Sequence, residues 1–405
     1  MEKRNIPFSP PDITESEINE VAQALRSGWI TTGPRVRKLE KELADYCHSP
    51  AFVCLNSATA AEELNLRMLA LKEGDEVLVP AYTYTASASA AIHCGATVRF
   101  IDCQKDSLEM DYDLMEQAIN EHTKAVVPVD LGGIICDYQR IYEALERKKD
   151  VFKPEGRIQQ ALGRVAVVAD CAHSLGASRK GKMAGEIADF SSFSFHAVKN
   201  LTTAEGGGSC WRSLPGIDDG ELYHLYQLYS LHGQSKDALA KSRADSWEYD
   251  IIGPWYKCNM TDVAAAMGLV QFQRYPQMLA RRKQIIDRYD QTCDALGISH
   301  LIHHGPDFTS SMHLYLIWLP GFDHERRCQF ISRMAEEGVS CNVHYKPLPM
   351  MSAYRALGWD IADFPNAYAH YENVVTLPLY SRLTDDDVSY VTEVLARVYE
   401  EMRQE

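Results

Sequence analysis

The chain has 405 residues, of which 46% are hydrophobic and 24% charged, and a formal net charge of −15. Its length suits two or three domains of about 150 residues each, and its composition is that of an ordinary globular protein. The acidity argues against a nucleic-acid backbone or an anionic membrane as main partner, though not against a small anion in a locally positive cleft.

From the N-terminus, "TESEINEVAQALRSG" carries a capping-box pattern, Thr14 followed by Glu17. Ile18, Val21 and Leu25 then recur at helical spacing, and Gly28 closes the run. "RVRKLEKELADYC" is a second amphipathic helix. "AFVCLNS" reads as a short strand and "TAAEELNLRMLALK" as the helix after it. "DEVLVPAYTYTASASAAIHCGATVRFIDC" gives strand, loop, small-residue helix and strand. "KAVVPVDLGG", "VAVVADCAH" and "DFSSFSF" supply three more apolar β runs. Apolar strands alternating with helices predict a mostly parallel sheet in an α/β domain.

"TDVAAAMGLVQFQRYPQMLARRKQIIDRYDQTCDAL" is a long helical region that Pro276 is expected to break or bend. Beyond it the texture changes. "HLYLIWLP", "GVSCNVHY" and "NVVTLPLY" read as short strands, with helices around Glu325–Glu337 and Asp385–Arg403, an α+β arrangement. The expected division is a large domain over 1–270 and a small one over 271–405. Two stretches read as insertions, "ERKKDVFKPEGRIQQALGR" and "HGQSKDALAKSRADSWEYDIIGPWYKCN". The aromatics Trp247, Tyr249, Trp255 and Tyr256 argue against disorder in the second.

Eleven cysteines without a C-x-x-C pair suit a reducing compartment. The first residues lack the apolar core of a secretion signal, and no apolar run reaches about 18 residues. A cytoplasmic protein without a membrane span is expected, and the N-x-T triplets at Asn200 and Asn259 are not read as glycosylation sites.

Ligands of a parallel α/β sheet bind beyond the carboxyl ends of its strands. "NSATA" (Asn56–Ala60) follows the first strand and opens a helix, whose free N–H groups could hold a phosphate. Read alone, it is first a helix N-cap by Ser57 or Thr59. "AYTYT" offers Tyr82 and Tyr84 as rings to stack on a planar group, or simply as loop packing. "VVADCAHS" sets Asp170 at a strand end with His173 three residues on. Asp170 is either an N-cap or a carboxylate facing a protonated ring nitrogen. Lys199, in "FSFHAVKNLTTAEGGG", follows an apolar run. Burial lowers a lysine's pKa and makes its amine a nucleophile towards aldehydes. Each signal is weak by itself. Together, in this chain order, they are what pyridoxal phosphate requires: N–H donors, a stacking ring, an acid for the pyridine nitrogen and a lysine for the aldehyde. A nicotinamide enzyme would need a G-x-G-x-x-G after the first strand, and "NSATAAE" has no glycine.

At these residues the chain resembles the DegT/DnrJ/StrS-type sugar aminotransferases. The motifs are "SGWITTGP", "NSATA", "GDEVLVP", "GATVRFID", "TKAVVPV", "DCAHSLGA", "FSFHAVKNLTTAEGG", "CNMTDVAAAMGLVQ" and "HYKPLP", in family order over nearly the whole chain. Within the family it looks closest to enzymes making UDP-4-amino-4-deoxy-L-arabinose. The resemblance implies the aspartate-aminotransferase-like α/β fold (fold type I), with a mostly parallel sheet in a large domain and a smaller α+β C-terminal domain. It implies pyridoxal 5'-phosphate as cofactor, with pyridoxamine 5'-phosphate as its amine form, and no metal.

The resemblance also implies residue roles. Lys199 is the Schiff-base lysine and proton carrier, Asp170 pairs with the pyridinium nitrogen, and His173 sits beside the ring hydroxyl. Tyr84 stacks on the ring, while Ala58, Thr59 and Ser194 hold the phosphate. Asn259 reaches the phosphate from a neighbouring subunit, so a homodimer with shared sites is expected. Thr31 and Thr32 line the substrate side, and His344, Tyr345 and Lys346 touch a sugar nucleotide's diphosphate. L-glutamate and a nucleotide-linked keto sugar, UDP-linked by the nearest resemblance, are the expected substrates. Asp130 departs from the family, which carries His there, and reads equally as a solvated strand-end acid. A sugar dehydratase of the same fold would carry histidine in place of Lys199, and a non-catalytic relative would be expected to lose Lys199 or Asp170. Both residues are present.

Overall fold

The computed structural model describes residues 3–236 and 248–405. Its centre is a seven-stranded sheet in the order β1-β9-β8-β5-β4-β2-β3. The strands are β1 (Phe52–Leu55), β2 (Glu76–Pro80), β3 (Thr97–Ile101), β4 (Thr123–Val126), β5 (Ala166–Asp170), β8 (Phe190–Ser194) and β9 (Gly207–Trp211). Two short strands, β6 (Ser178–Arg179) and β7 (Lys182–Met183), lie outside it and pair with each other. From β3 across to β8 every pairing is parallel; β9 runs antiparallel to both β8 and β1. β1 therefore points the same way as β8. The carboxyl ends of β1, β2, β5 and β8 all open on one side of the sheet, where ligands of this architecture bind.

Alternation along each strand divides the core between the two faces. Val53, Leu55, Val77, Val79 and Val168 pack into one cluster. Phe52, Cys54, Leu78, Val167 and Ala169 pack into another. The strands are apolar on both sides because helices cover both sides. Among those helices are α1 (Glu15–Arg26), α2 (Pro34–Tyr46), α3 (Ala58–Met68) and α4 (Thr85–His93). α1 starts with the expected capping box between Thr14 and Glu17. Its expected apolar face is not buried, however. Ile18 and Leu25 are exposed, while Glu17 is fully buried and bonded to Gln271 and Arg274.

The helix Asp262–Leu296 runs through the 270/271 position and through Pro276 without a break. A proline inside a helix removes one hydrogen bond. Here packing on both sides of it compensates: Tyr275 donates to the Leu175 carbonyl at 2.7 Å, and Met278, Arg282 and Ile285 are buried. A third cluster gathers the second half of this helix, the helices His324–Glu336 and Asp385–Gln404, and a three-stranded antiparallel sheet. That sheet comprises β10 (Ser299–His300), β12 (Tyr315–Trp318) and β13 (Val374–Leu377). β11 (Phe308–Thr309) instead pairs with β6.

"GVSCNVHY" is not a strand. It makes isolated bridges only, Val339 to Ile6 and Asn342 to Thr376. With a partner to each side at single positions, it forms no continuous ladder. The first insertion holds the short helix Arg157–Leu162. Of the aromatics in the second, Trp247 lies outside the described residues, and Trp255 stacks on Tyr229 with ring centroids 4.4 Å apart.

Candidate active site

The open side of the sheet holds a cavity of about 390 Å³, within the size range of small-molecule sites. Its walls bring together Ala58, Thr59, Tyr84, Asp170, His173, Ser194, Lys199, His344 and Tyr345. Thr31, Thr32, Asn259 and Lys346 do not line it. Thr32, Asn259 and Met260 form a cluster of their own, in which Asn259 Nδ2 donates to Thr32 Oγ1 at 2.6 Å and Thr32 Oγ1 donates to the Met260 carbonyl at 2.7 Å.

α3 starts directly after β1, so its N-terminus faces the cavity. Ser57 caps it by accepting from the Ala60 N–H at 3.1 Å. The N–H groups of Ala58 and Thr59 precede the first intrahelical bonds, which is the arrangement that binds anions. β9 passes very close to this turn. A Cβ at Gly207 would come within 2.4 Å of the Ala58 nitrogen and 2.5 Å of the Phe193 carbonyl oxygen, so only glycine lets β9 pack this close.

Asp170 ends β5 and is 8% exposed. Ser87 Oγ donates to its Oδ2 at 2.7 Å, and the Ala172 N–H donates to its Oδ1 at 3.1 Å. With the Ser87 hydrogen so committed, the 3.0 Å contact between Thr83 and Ser87 has Thr83 as donor. A carboxylate has about four acceptor positions, so Asp170 can take a further donor from the cavity. Beside it, Glu62 is 2% exposed and bonded to Ser192 Oγ through one oxygen. Its other oxygen is buried with no partner among the described residues. Burial first, and the nearby Asp170 charge second, hold the Glu62 carboxyl well above its usual range.

His173 follows on the turn after β5. Its Nδ1 accepts from the Gly132 N–H at 3.3 Å. A backbone N–H can only donate, so the neutral ring carries its hydrogen on Nε2, which meets the Tyr345 hydroxyl at 3.2 Å. Burial and the Lys199 charge hold its pKa well below the usual histidine value. Burial and Lys199 likewise bring His344 down to about 4. Tyr84, 58% exposed, stands at the cavity wall with its ring 5.8 Å from that of Tyr345. Tyr82 is buried and donates to the His344 carbonyl at 2.9 Å, so of the two tyrosines only Tyr84 is at the cavity.

Lys199 is half-buried, and its amine makes no hydrogen bond or ion pair with the described residues. Desolvation lowers it from the usual lysine value to about 8, against the opposing pull of Asp170. An amine of lowered pKa, a carboxylate with spare acceptor capacity, an anion cup and an exposed aromatic ring thus border one cavity.

Residues 11–396 match the DegT/DnrJ/EryC1/StrS aminotransferase family. The chain belongs to that family. The aminotransferase is 36% identical over 406 residues to the spore coat polysaccharide biosynthesis protein SpsC of Bacillus subtilis strain 168, covering 98% of each chain. It is similar in structure to the putative sugar aminotransferase Spr1654 from Streptococcus pneumoniae. Against the PMP-form of that protein the TM-score is 0.96 at 54% identity, covering 98% of this chain and 100% of the other. Against its PLP-form the values are 0.95 and 52%, with the same coverage. The aminotransferase TlmJ from Streptoalloteichus hindustanus superposes at a TM-score of 0.85 with 27% identity, over 98% of this chain and 100% of that one.

Asp130 corrects one reading of the sequence. It is fully buried rather than solvated. Its carboxyl accepts from the Cys136 N–H at 2.9 Å, Tyr138 Oη at 3.2 Å, Ser174 Oγ at 2.8 Å and Cys171 Sγ at 3.4 Å. It ties the turn that carries His173 to the loop after β4. Sequence reasoning also passed over Ser87, Glu62 and His313. The Thr83–Ser87 spacing of four could have revealed the first. Glu62 lies in an ordinary helical pattern and His313 at the edge of an apolar run, and neither carries a signal of chemistry.

Proposed function

We propose that this aminotransferase moves an amino group from L-glutamate to a nucleotide-linked keto sugar, with pyridoxal 5'-phosphate as cofactor. The observation that carries the reading is the placement of Lys199, Asp170 and the N-terminus of α3 around one cavity. The residues fit the cofactor: the free N–H groups at the N-terminus of α3 suit a phosphate, and Asp170 has acceptor capacity for a ring N–H. When bound, pyridoxal phosphate supplies an aldehyde that takes up the amino group and a ring that accepts electrons, and its amine form is pyridoxamine 5'-phosphate.

The chain's own groups then have defined tasks. The Ala58 and Thr59 N–H groups, with the Ser194 hydroxyl, hold the phosphate. Asp170, oriented by Ser87 and Ala172, keeps a proton on the ring nitrogen. Tyr84 packs on the ring face. His173, with its hydrogen on Nε2, donates towards the ring hydroxyl, sharing that hydrogen with Tyr345. Lys199, with an amine near 8, is about one-tenth neutral at pH 7. It serves first as nucleophile and then as the base that moves the substrate α-proton.

The sugar side is assigned to His344 and Tyr345 at the cavity, with Lys346, Thr31 and Thr32, which do not line it in the single chain, as further substrate contacts. Asn259 serves the phosphate of a second copy, so the working unit is a homodimer. Ile18, Leu25 and Ile30, all exposed in the single chain, support that reading as apolar side chains that a second copy would cover. None of the described helices is long and apolar enough to cross a membrane. The reaction is placed in the cytoplasm, in amino-sugar and surface-polysaccharide biosynthesis, with a UDP-linked 4-keto sugar as the favoured acceptor. A large domain over 1–270 and a small one over 271–405 remain the division proposed.

The test is a panel of UDP-, dTDP- and GDP-linked keto sugars incubated with the protein, pyridoxal phosphate and glutamate. Release of 2-oxoglutarate with an amino-sugar product of matching mass supports the reading. Amino donation from glutamate to none of the panel would refute the substrate class.

A further inference from the structure

Lys199 borders a second cavity besides the one described above. It is a recess of about 40 Å³ lined by Lys199, His313, His344 and Tyr345, with Phe8 and Ser9 of the N-terminal segment. Phe8 stacks on the His344 ring at 5.5 Å. The segment is fixed there by Ile6, which exchanges backbone hydrogen bonds with Gly338 and Ser340. The recess is large enough to hold a water or an ammonium group, which needs about 10–15 Å³ of such space.

The hydrogen positions in this recess follow from its neighbours. Asn200 Nδ2 donates to the Ser311 carbonyl at 2.7 Å, which fixes Asn200 Oδ1 as the acceptor of the 3.0 Å bond to His313 Nδ1. His313 therefore carries its hydrogen on Nδ1, and Nε2 of the neutral ring is a free lone pair. Nε2 has no hydrogen-bond partner among the described residues. His173, whose ring lies 4.4 Å away, is the opposite tautomer, because its Nδ1 accepts from Gly132. Of these two rings beside Lys199, one offers a donor and the other an acceptor.

His313 is held in that state. It is 5% exposed. Burial, then His173, Lys199, Arg282 and His344, push its pKa well below the usual value. Arg282 Nη1 is turned to the carbonyls of Met312, His313 and Leu379, and Arg282 is not among the residues that line the recess. Tyr345 meets His173, and Asp170, on the main-cavity side, is the acid that acts on Lys199 among the described residues.

We propose that this recess is the resting place of the Lys199 amine whenever it is not bonded to the cofactor, with His313 Nε2 as its hydrogen-bond acceptor. This rests on reading Lys199 as the cofactor lysine. His313 is then a positioning residue. By accepting from the ammonium it keeps the side chain ordered through the half of the cycle in which the cofactor carries the amine. Because it stays neutral, it remains an acceptor across the working pH range.

The test uses the full chain loaded with pyridoxamine phosphate, in which Lys199 is free. Acetylation of Lys199 by acetic anhydride is followed by peptide mass spectrometry as a function of pH. An acceptor stabilises the ammonium and raises its pKa. His313→Phe should therefore shift half-maximal labelling to lower pH, by about one pH unit, and His313→Gln, which keeps an acceptor oxygen, should shift it much less. An unmoved midpoint in His313→Phe overturns the proposal. The wild-type protein gives an independent check should that variant not fold. Its histidine ¹⁵N spectrum should show His313 protonated on Nδ1 and bare on Nε2, and the reverse tautomer overturns the proposal equally. A wild type that forms no visible absorbance band with pyridoxal phosphate would instead sink the cofactor reading beneath both.

Discussion

The Asp170 charge is what opposes the desolvation of the Lys199 amine and holds its pKa near 8 rather than lower. The two residues are thus coupled without touching. Asp170→Asn removes the negative charge and the acceptor for a ring N–H together. The Lys199 pKa should fall below about 8, and turnover should drop by roughly 10²–10⁴-fold. The pH dependence of the bound cofactor's absorbance, with steady-state rates, checks both effects. Near-normal turnover would remove Asp170 from its assigned place.

Lys199 itself has an opposite effect on stability. Its folded-state pKa lies below the unfolded value of 10.5, so the unfolded chain binds more protons between about pH 8 and 10.5, and stability rises with pH across that window. Lys199→Met should abolish turnover, remove this rise, and stabilise the cofactor-free protein at pH 7 by roughly 1–3 kcal/mol. Urea unfolding of both proteins at pH 7 and pH 10 measures the difference.

Asp130 carries the reverse sign for an acid. Burial raises its pKa from 3.8 to about 6 despite four donors. The folded protein therefore binds more protons between those values, and this group's contribution to stability is lost as pH rises from about 4 through 6. Asp130→Asn replaces an acceptor oxygen with an amide NH2, itself a donor, that faces donors, and should cost about 1–3 kcal/mol. Because the Ser174 and Cys171 bonds hold the turn carrying His173, cofactor affinity should weaken as well. Equilibrium unfolding and a pyridoxal phosphate titration read the two effects separately.

The contrast between Asp130 and Asp170 explains what the sequence could reveal. Both end apolar runs, and the local pattern around each is nearly the same. Only the loop after β4 and the turn after β5, brought side by side by the β4–β5 pairing, decide that Asp130 points into a closed cluster and Asp170 to a cavity. Strands and helices of the sheet domain were legible because their period and end signals are local. The failures are tertiary. Pro276 is overridden by packing, "GVSCNVHY" has partners only at single positions, and Ile18 and Leu25 face outward although their spacing is that of a core face. His313 was invisible because its tautomer depends on Asn200, which is 113 residues away in the chain.

Ala204 lies between Lys199 and β9 with φ at +70°, a conformation that costs a non-glycine residue roughly 1–2 kcal/mol. Glycine relieves that strain and adds about 0.5–1 kcal/mol of unfolded-state entropy. Ala204→Gly should thus leave the protein equally stable or up to about 1.5 kcal/mol more stable. Thermal unfolding checks it, and a clear loss of stability would mean that Ala204 makes contacts worth more than its strain.

The most direct measurement is the absorbance spectrum of the protein with pyridoxal phosphate, before and after L-glutamate. A visible band that requires Lys199 and is bleached by glutamate, with 2-oxoglutarate released, is the expected result. It would establish the first half of the amino transfer at this cavity. A band that forms equally well in Lys199→Met, or that glutamate leaves unchanged, would contradict the role given to Lys199 or to the donor.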